Sequence, residues 1–255
     1  MQTAPKKVVN GWAMYDWASS AYNLVITSTI FPTYFDAIAV DNEAISKTTV
    51  TFLGRQFDNS ALYNYAIALA MLIVALMSPL LSSIADYKGN KKNFMRFFCY
   101  MGALSCSLMY FFDADHVTLG LTCFMFAGIG FYGSQVFYNS YLPEIAAEKD
   151  RDRISARGFS FGYIGSVLMQ MIGFALVIAM PESQEPLKIT FLLVGIWWVA
   201  FAQITFNRLP ISPRNERKSK KHALVNGFHE LQIVWNQVKH LPQLKRYLPA
   251  FFFYS

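Results

Sequence analysis

"ALYNYAIALAMLIVALMSPLLSSIADYKGNKK", residues 61–92, changes character within a few positions. Residues 61–85 carry no charged side chain, whereas residues 86–92 bring an acid, a glycine and three lysines. An apolar run of about 20 residues crosses a hydrocarbon core of about 30 Å as a helix. Five further blocks have the same make-up: 17–40, 94–112, 117–142, 158–180 and 187–207. Hydrophobic residues make up 54% of the 255 positions and charged residues 15%, against about a quarter charged in an ordinary soluble domain. The pattern predicts an all-α membrane protein with six transmembrane helices and a seventh begun at Tyr247. Residues 1–207 read as a six-helix bundle, 208–245 as a basic cytoplasmic linker, and 246–255 as the start of a truncated seventh helix.

The net charge of +6 follows from topology rather than from a nucleic-acid partner. If the N-terminus is cytoplasmic, the inner segments hold 19 of the 22 Lys and Arg residues. The outer loops then hold only Lys47, Arg55 and Lys188. Such an imbalance between short alternating loops orients a multi-spanning protein, and juxtamembrane cations attract anionic lipid headgroups. The expectation is a multi-pass protein of the cell (inner) membrane. The first block is too long, and too interrupted by Pro32 after Asp16, for a cleaved signal peptide. Cys99, Cys106 and Cys123 fall inside apolar blocks without a C-x-x-C pair and read as small apolar residues. His116, His222, His229 and His240 lie outside the blocks without metal-ligand spacing, so no metal or cofactor is expected.

Three local features organise the chain further. The segment 41–60 is a polar outer loop. Within the linker, Leu224, Phe228, Leu231, Trp235 and Val238 recur at steps of 4, 3, 4 and 3, which predicts an amphipathic helix on the membrane surface. "FPTYFDAIA" (31–39) and "YLPEIAAE" (141–148) close the first and fourth blocks in like manner, three spans apart. That echo fits the 3+3 inverted repeats of transporters.

The loop "SSIADYKGNKK" (82–92) resembles the major facilitator signature Gly-x-Leu-Ala-Asp-Arg-x-Gly-Arg-Lys. Ala85, Asp86, Gly89 and Lys91 keep the pattern and Ile84 stands for its Leu, while Ser82, Tyr87 and Asn90 depart from it. Gly89 suits a tight turn, and Asp86 is expected to pair with Arg153 or Arg157 of another inner loop. Two longer stretches are more specific. "GWAMYDWASSAYNLVITSTIFPTYF" (11–35) and "FYNSYLPEIAAEKDRDRISARGFSFGYIGS" (137–166) closely resemble the vacuole-effluxer branch of the major facilitators, a family related to autophagy. The resemblance implies a twelve-span secondary transporter, with amino-acid efflux proposed for some members. It makes this chain the N-terminal six-helix half, with the C-terminal half expected but absent from it. It also links the loop with Asp86, Gly89, Lys91, Arg153 and Arg157 to conformational switching.

Two polar stripes complete the reading. Asp16, Ser20, Asn23 and Thr27 are spaced by 4, 3 and 4, one helix face, while Leu24 and Ile26 fall on other faces. In the fourth block Gly128, Tyr132, Gln135 and Asn139 repeat that spacing. Polar groups inside a membrane are costly against lipid, and in the major facilitator fold these two helices line the central cavity. Asp16, Ser20, Asn23, Thr27, Tyr132, Gln135 and Asn139 are therefore the expected cavity lining for a small solute. Helix–helix hydrogen bonding is the competing account of the stripes. For Asp16 itself the choices are a coupling-proton carrier or a cap near the helix N-terminus. A membrane-embedded enzyme or lipid-handling protein is the alternative class, and a non-transporting interaction protein a third. Catalysis in a membrane calls for intramembrane His or clustered carboxylates, and no block holds either, so no enzyme activity is expected.

Overall fold

The computed structural model describes residues 2–39, 49–52, 54–181, 183–211 and the single positions 236, 240, 241, 247 and 250. The expected surface helix of the linker, most of 208–245 and the segment 246–255 lie otherwise outside the described residues. The described chain runs α1 Lys6–Ala21, a π-helical segment Tyr22–Ile30, α2 Phe31–Ala39, β1 Thr49–Phe52, β2 Arg55–Asp58, α3 Asn59–Lys88, α4 Lys91–Leu108, α5 Val117–Ile145, α6 Arg151–Ala179 and α7 Glu185–Arg208. Among the described residues five helices are long and apolar enough to cross a membrane, the segments Ser60–Pro79, Lys91–Phe111, Ala114–Ile145, Glu148–Ala179 and Glu185–Arg208. The first block joins them as a continuous helical run, from Lys6 to Ala39, broken in its hydrogen bonding by the π-helical segment.

That run starts eleven residues before the first apolar block. Val9, Trp12, Ala13 and Tyr15 are buried against the bundle, and their packing extends the helix through residues that hydropathy alone leaves outside. Asp16 consequently lies in the third turn, far from the N-cap at Pro5. The helix-cap account of Asp16 is thereby corrected, because only the first turn of a helix has backbone N–H groups to receive a cap. The segment between α2 and α3 carries a two-stranded antiparallel hairpin in which Val50 faces Phe57. Gly54, at φ +76°, turns it. Asp58 then caps α3, its carboxylate accepting the Ser60 N–H at 3.0 Å.

In lipid, helix association depends on close packing and interhelical hydrogen bonds, because the surrounding tails are as apolar as the side chains. Here α1 packs along α6 and α7, and α4 along α5 and α7, while α3 lies on α5. Aromatic rings fill the seams. Phe31 stacks on Phe124 at 3.7 Å and Trp12 on Tyr138 at 4.3 Å. Trp17 stacks on Trp197 at 5.6 Å, and the Trp197 Nε1–H donates to the Trp17 carbonyl at 3.1 Å. Large apolar residues such as Leu72, Leu76, Ile164, Met171 and Ile178 remain exposed on α3 and α6, as membrane-facing helices require.

The loop between α3 and α4 is built around Gly89. Its φ of +66° closes α3, and the N–H groups of Gly89 and Asn90 both donate to the Ala85 carbonyl. This is the left-handed helix ending that glycine adopts without steric cost.

Candidate functional site

Asp16 is buried, at 7% exposed, in the seam between α1, α5 and α6. The Tyr138 hydroxyl of α5 donates to its Oδ2 at 3.0 Å. Tyr138 is itself clamped by Trp12: the rings stack, and the Trp12 Nε1–H donates to the Tyr138 carbonyl at 3.0 Å. One turn on, Gln135 Nε2 donates to Ser19 Oγ at 3.2 Å, and Ser19 in turn donates to the Tyr15 carbonyl. Helix α6 can approach this network because it presents no side chain to it. A Cβ on Gly158 would lie 2.8 Å from the Tyr138 hydroxyl and 3.0 Å from Asp16 Oδ2. One on Gly162 would lie 2.7 Å from Ser20 Oγ.

An open groove of about 280 Å³ runs along this seam. Its α1 wall is Asp16 and Ser20, continued by Asn23, Leu24 and Ser28 of the π-helical segment. Phe131 and Gln135 come from α5, and Phe159, Gly162, Tyr163 and Ser166 from α6. Four of the seven expected cavity residues, Asp16, Ser20, Asn23 and Gln135, thus meet on one groove. Thr27, Tyr132 and Asn139 are not among its lining residues. Thr27 has its hydroxyl buried, Tyr132 is half-buried, and Asn139 is exposed on α5.

The π-helical segment explains why the regular spacing fails past Asn23. Backbone hydrogen bonding there runs five residues back, the π pattern, as where the Phe31 N–H donates to the Ile26 carbonyl. The side chains span the same interval, Ser28 Oγ donating to the Asn23 carbonyl and Thr29 Oγ1 to the Leu24 carbonyl, each at 3.1 Å. The wider turn brings Ser28, not Thr27, beneath Asn23, and rotates Leu24 into the groove. The expectation that Leu24 faces away is therefore corrected, whereas Ile26 is buried. Nothing in hydropathy marks Ser28. Phe159, Tyr163 and Ser166 were missed because an aromatic and serine pattern on α6 reads equally well as a lipid-facing surface.

The expected switch loop is distributed over several contacts. Lys91 Nζ lies 2.6 Å from Glu144 Oε1 at the end of α5, with the two side chains 13% and 23% exposed. Arg153 pairs with Asp150 at 2.8 Å, and the Arg157 guanidinium stands over the Phe161 ring at 5.8 Å. The Asp86 side chain lies outside the described residues, so its expected pairing does too. The N-terminal tail joins this region, for Thr3 Oγ1 donates to Asp150 Oδ2 at 2.6 Å and accepts the Ala147 N–H at 3.1 Å.

A bundle of apolar helices long enough to span a bilayer defines an integral multi-pass membrane protein. The chain belongs to the family described as vacuole effluxer Atg22 like, which it matches over residues 4–152 and 144–255. It is 31% identical over 254 residues to the uncharacterized MFS-type transporter YxiO of Bacillus subtilis, covering 97% of this chain and 56% of that relative. Autophagy-related protein 22-2 of Aspergillus fumigatus is 24% identical over 246 residues, covering 70% of this chain and 40% of the relative. Autophagy-related protein 22 of Pyricularia oryzae is 21% identical over 273 residues, with 77% and 40% covered. The chain spans about half the length of the curated relatives it matches. The family description is that of an effluxer and the bacterial relative's that of a transporter; neither is that of an enzyme.

Proposed function

We propose that this chain forms the N-terminal half of a secondary active transporter, which moves a small solute across the membrane by alternating access. The observation that carries the reading is the groove: a buried carboxylate, three serines, an asparagine and a glutamine converge on one open seam of a largely apolar bundle. Polar groups held at such a cost inside a membrane mark solute pathways, and in transporters of this kind the site lies between two repeated halves. Amino acids are the proposed solute class, as the sequence resemblance implies. Asp16, the one carboxylate on the groove, is proposed to take the coupling proton. The Lys and Arg distribution supports a cytoplasmic N-terminus, and the cell membrane is the proposed location. The α3–α4 loop, with Asp86, Gly89 and Lys91, is proposed to act with Arg153 and Arg157 as a cytoplasmic latch.

The test is counterflow by the full-length protein in proteoliposomes, with the twenty amino acids as probes, with and without a pH gradient. At least one probe is expected to show saturable flux that the gradient accelerates. Saturable flux for none of them would overturn the reading.

A further inference from the structure

Among the described residues that line the groove there is one formal charge. Asp16 carries it, and none of the other lining residues is Lys, Arg or His. Among the described residues no ion pair includes Asp16; the Tyr138 hydroxyl donates to it, and the Gln135 amide is a second hydrogen-bond partner. A carboxylate this deeply buried is costly unless a cation or a proton neutralises it. Its neighbours Ser20, Asn23 and Gln135 all offer oxygen acceptors to an N–H donor. On the α6 side the opening carries two aromatic rings, Phe159 and Tyr163, 60% and 71% exposed. The face of an aromatic ring attracts an organic cation and disfavours an anion.

We infer that this groove is an ammonium subsite. It takes the cationic end of a small solute that also carries a hydrocarbon part, with ionised Asp16 as counter-ion and Phe159 and Tyr163 flanking the charge. The solute and the coupling proton occupy that carboxylate in alternation. A carboxylate on the same solute finds no cation on this wall and is held by residues outside the groove. The inference rests on the transporter reading above, since it assigns chemistry to the same site.

The probes are 3-methylbutylammonium and 4-methylpentanoate, which share one hydrocarbon skeleton and carry opposite charges. Binding to the full-length protein in detergent is read from tryptophan fluorescence, because Trp12 stacks on the tyrosine that holds Asp16. The ammonium probe is expected to bind saturably and the carboxylate at least tenfold more weakly. Asp16→Asn keeps an acceptor for Tyr138 and is expected to weaken ammonium binding tenfold or more. Should that variant fail to fold, the exposed-rim variants Phe159→Leu and Tyr163→Leu decide, each expected to weaken it roughly two- to fivefold. Equal affinity for the two probes overturns the inference. So does ammonium affinity left unchanged in a folded Asp16→Asn, or in both rim variants. Saturable flux without charge preference would sink the ammonium subsite alone, whereas ammonium binding without any flux would sink the transporter reading alone.

Discussion

Replacing Gly165 by valine is expected to lower the thermal unfolding temperature of the detergent-purified protein by roughly 5–10 °C. A Cβ at this position would sit 2.7 Å from the Trp17 carbonyl oxygen and 3.1 Å from its ring. The obstacle is backbone, so no rotamer change relieves it, and α1 and α6 must separate. The same carbonyl accepts the Trp197 indole N–H, which ties the seam to α7 and removes the easy direction of escape. Overpacking of this kind costs about 1–3 kcal/mol, and valine adds its branch to the clash. At roughly 2–4 °C per kcal/mol for a chain of this size, the shift is well within reach of a melting experiment. Gly165→Ala should fall between valine and the native protein. Ile164→Val, on the exposed face of the same helix, should leave the transition almost unmoved. A valine variant as stable as the native protein would mean that α1 and α6 do not pack as closely as described.

Reversing the charge at Lys91 is the second large effect. Lys91 and Glu144 approach to 2.6 Å with little exposure, joining the start of α4 to the end of α5. Partly buried pairs are strongly unfavourable when one partner is left facing a like charge. Lys91→Glu is therefore expected to destabilise the protein by about 2 kcal/mol and to slow counterflow at least tenfold. The exchanged pair, Lys91→Glu with Glu144→Lys, should recover most of the stability. If the contact also has to break and re-form during transport, the exchanged pair should recover flux as well. A single reversal with native stability and native flux would remove this contact from the latch.

The sequence makes the helices easy to find and the groove only partly so. Each spanning helix is announced by an apolar block, because lipid demands one and little else does. Asp16, Ser20, Asn23 and Gln135 stand out because polar groups in such blocks need an explanation. The true start of α1 is hidden, since Val9, Trp12 and Tyr15 are buried by neighbouring helices rather than by lipid. The π-helical segment is hidden too: a turn widened by one residue leaves composition untouched while moving Ser28 and Leu24 into the groove and Thr27 out of it. The α6 wall is legible only once α1 is seen lying along Gly158, Gly162 and Gly165. The hairpin at Thr49–Phe52 and Arg55–Asp58 had a signal in its β-branched and aromatic residues and Gly54, obscured by the polar loop around it.

The central claim is that the groove along Asp16, Ser20 and Ser28 opens to water and solute inside the membrane. It is tested most directly by single cysteines in a cysteine-free background of the full-length protein. Ser20→Cys, Ser28→Cys, Thr27→Cys and Ile26→Cys are each exposed to a membrane-impermeant thiol reagent applied from either face of sealed vesicles. Ser20→Cys and Ser28→Cys are expected to react, and a transported amino acid to slow the reaction. Thr27→Cys and Ile26→Cys, at positions buried or turned away by the π-helical segment, are expected to stay at least tenfold slower. If Ser20→Cys and Ser28→Cys are as inert as Ile26→Cys from both faces, the seam is dry packing and the account of the groove is wrong.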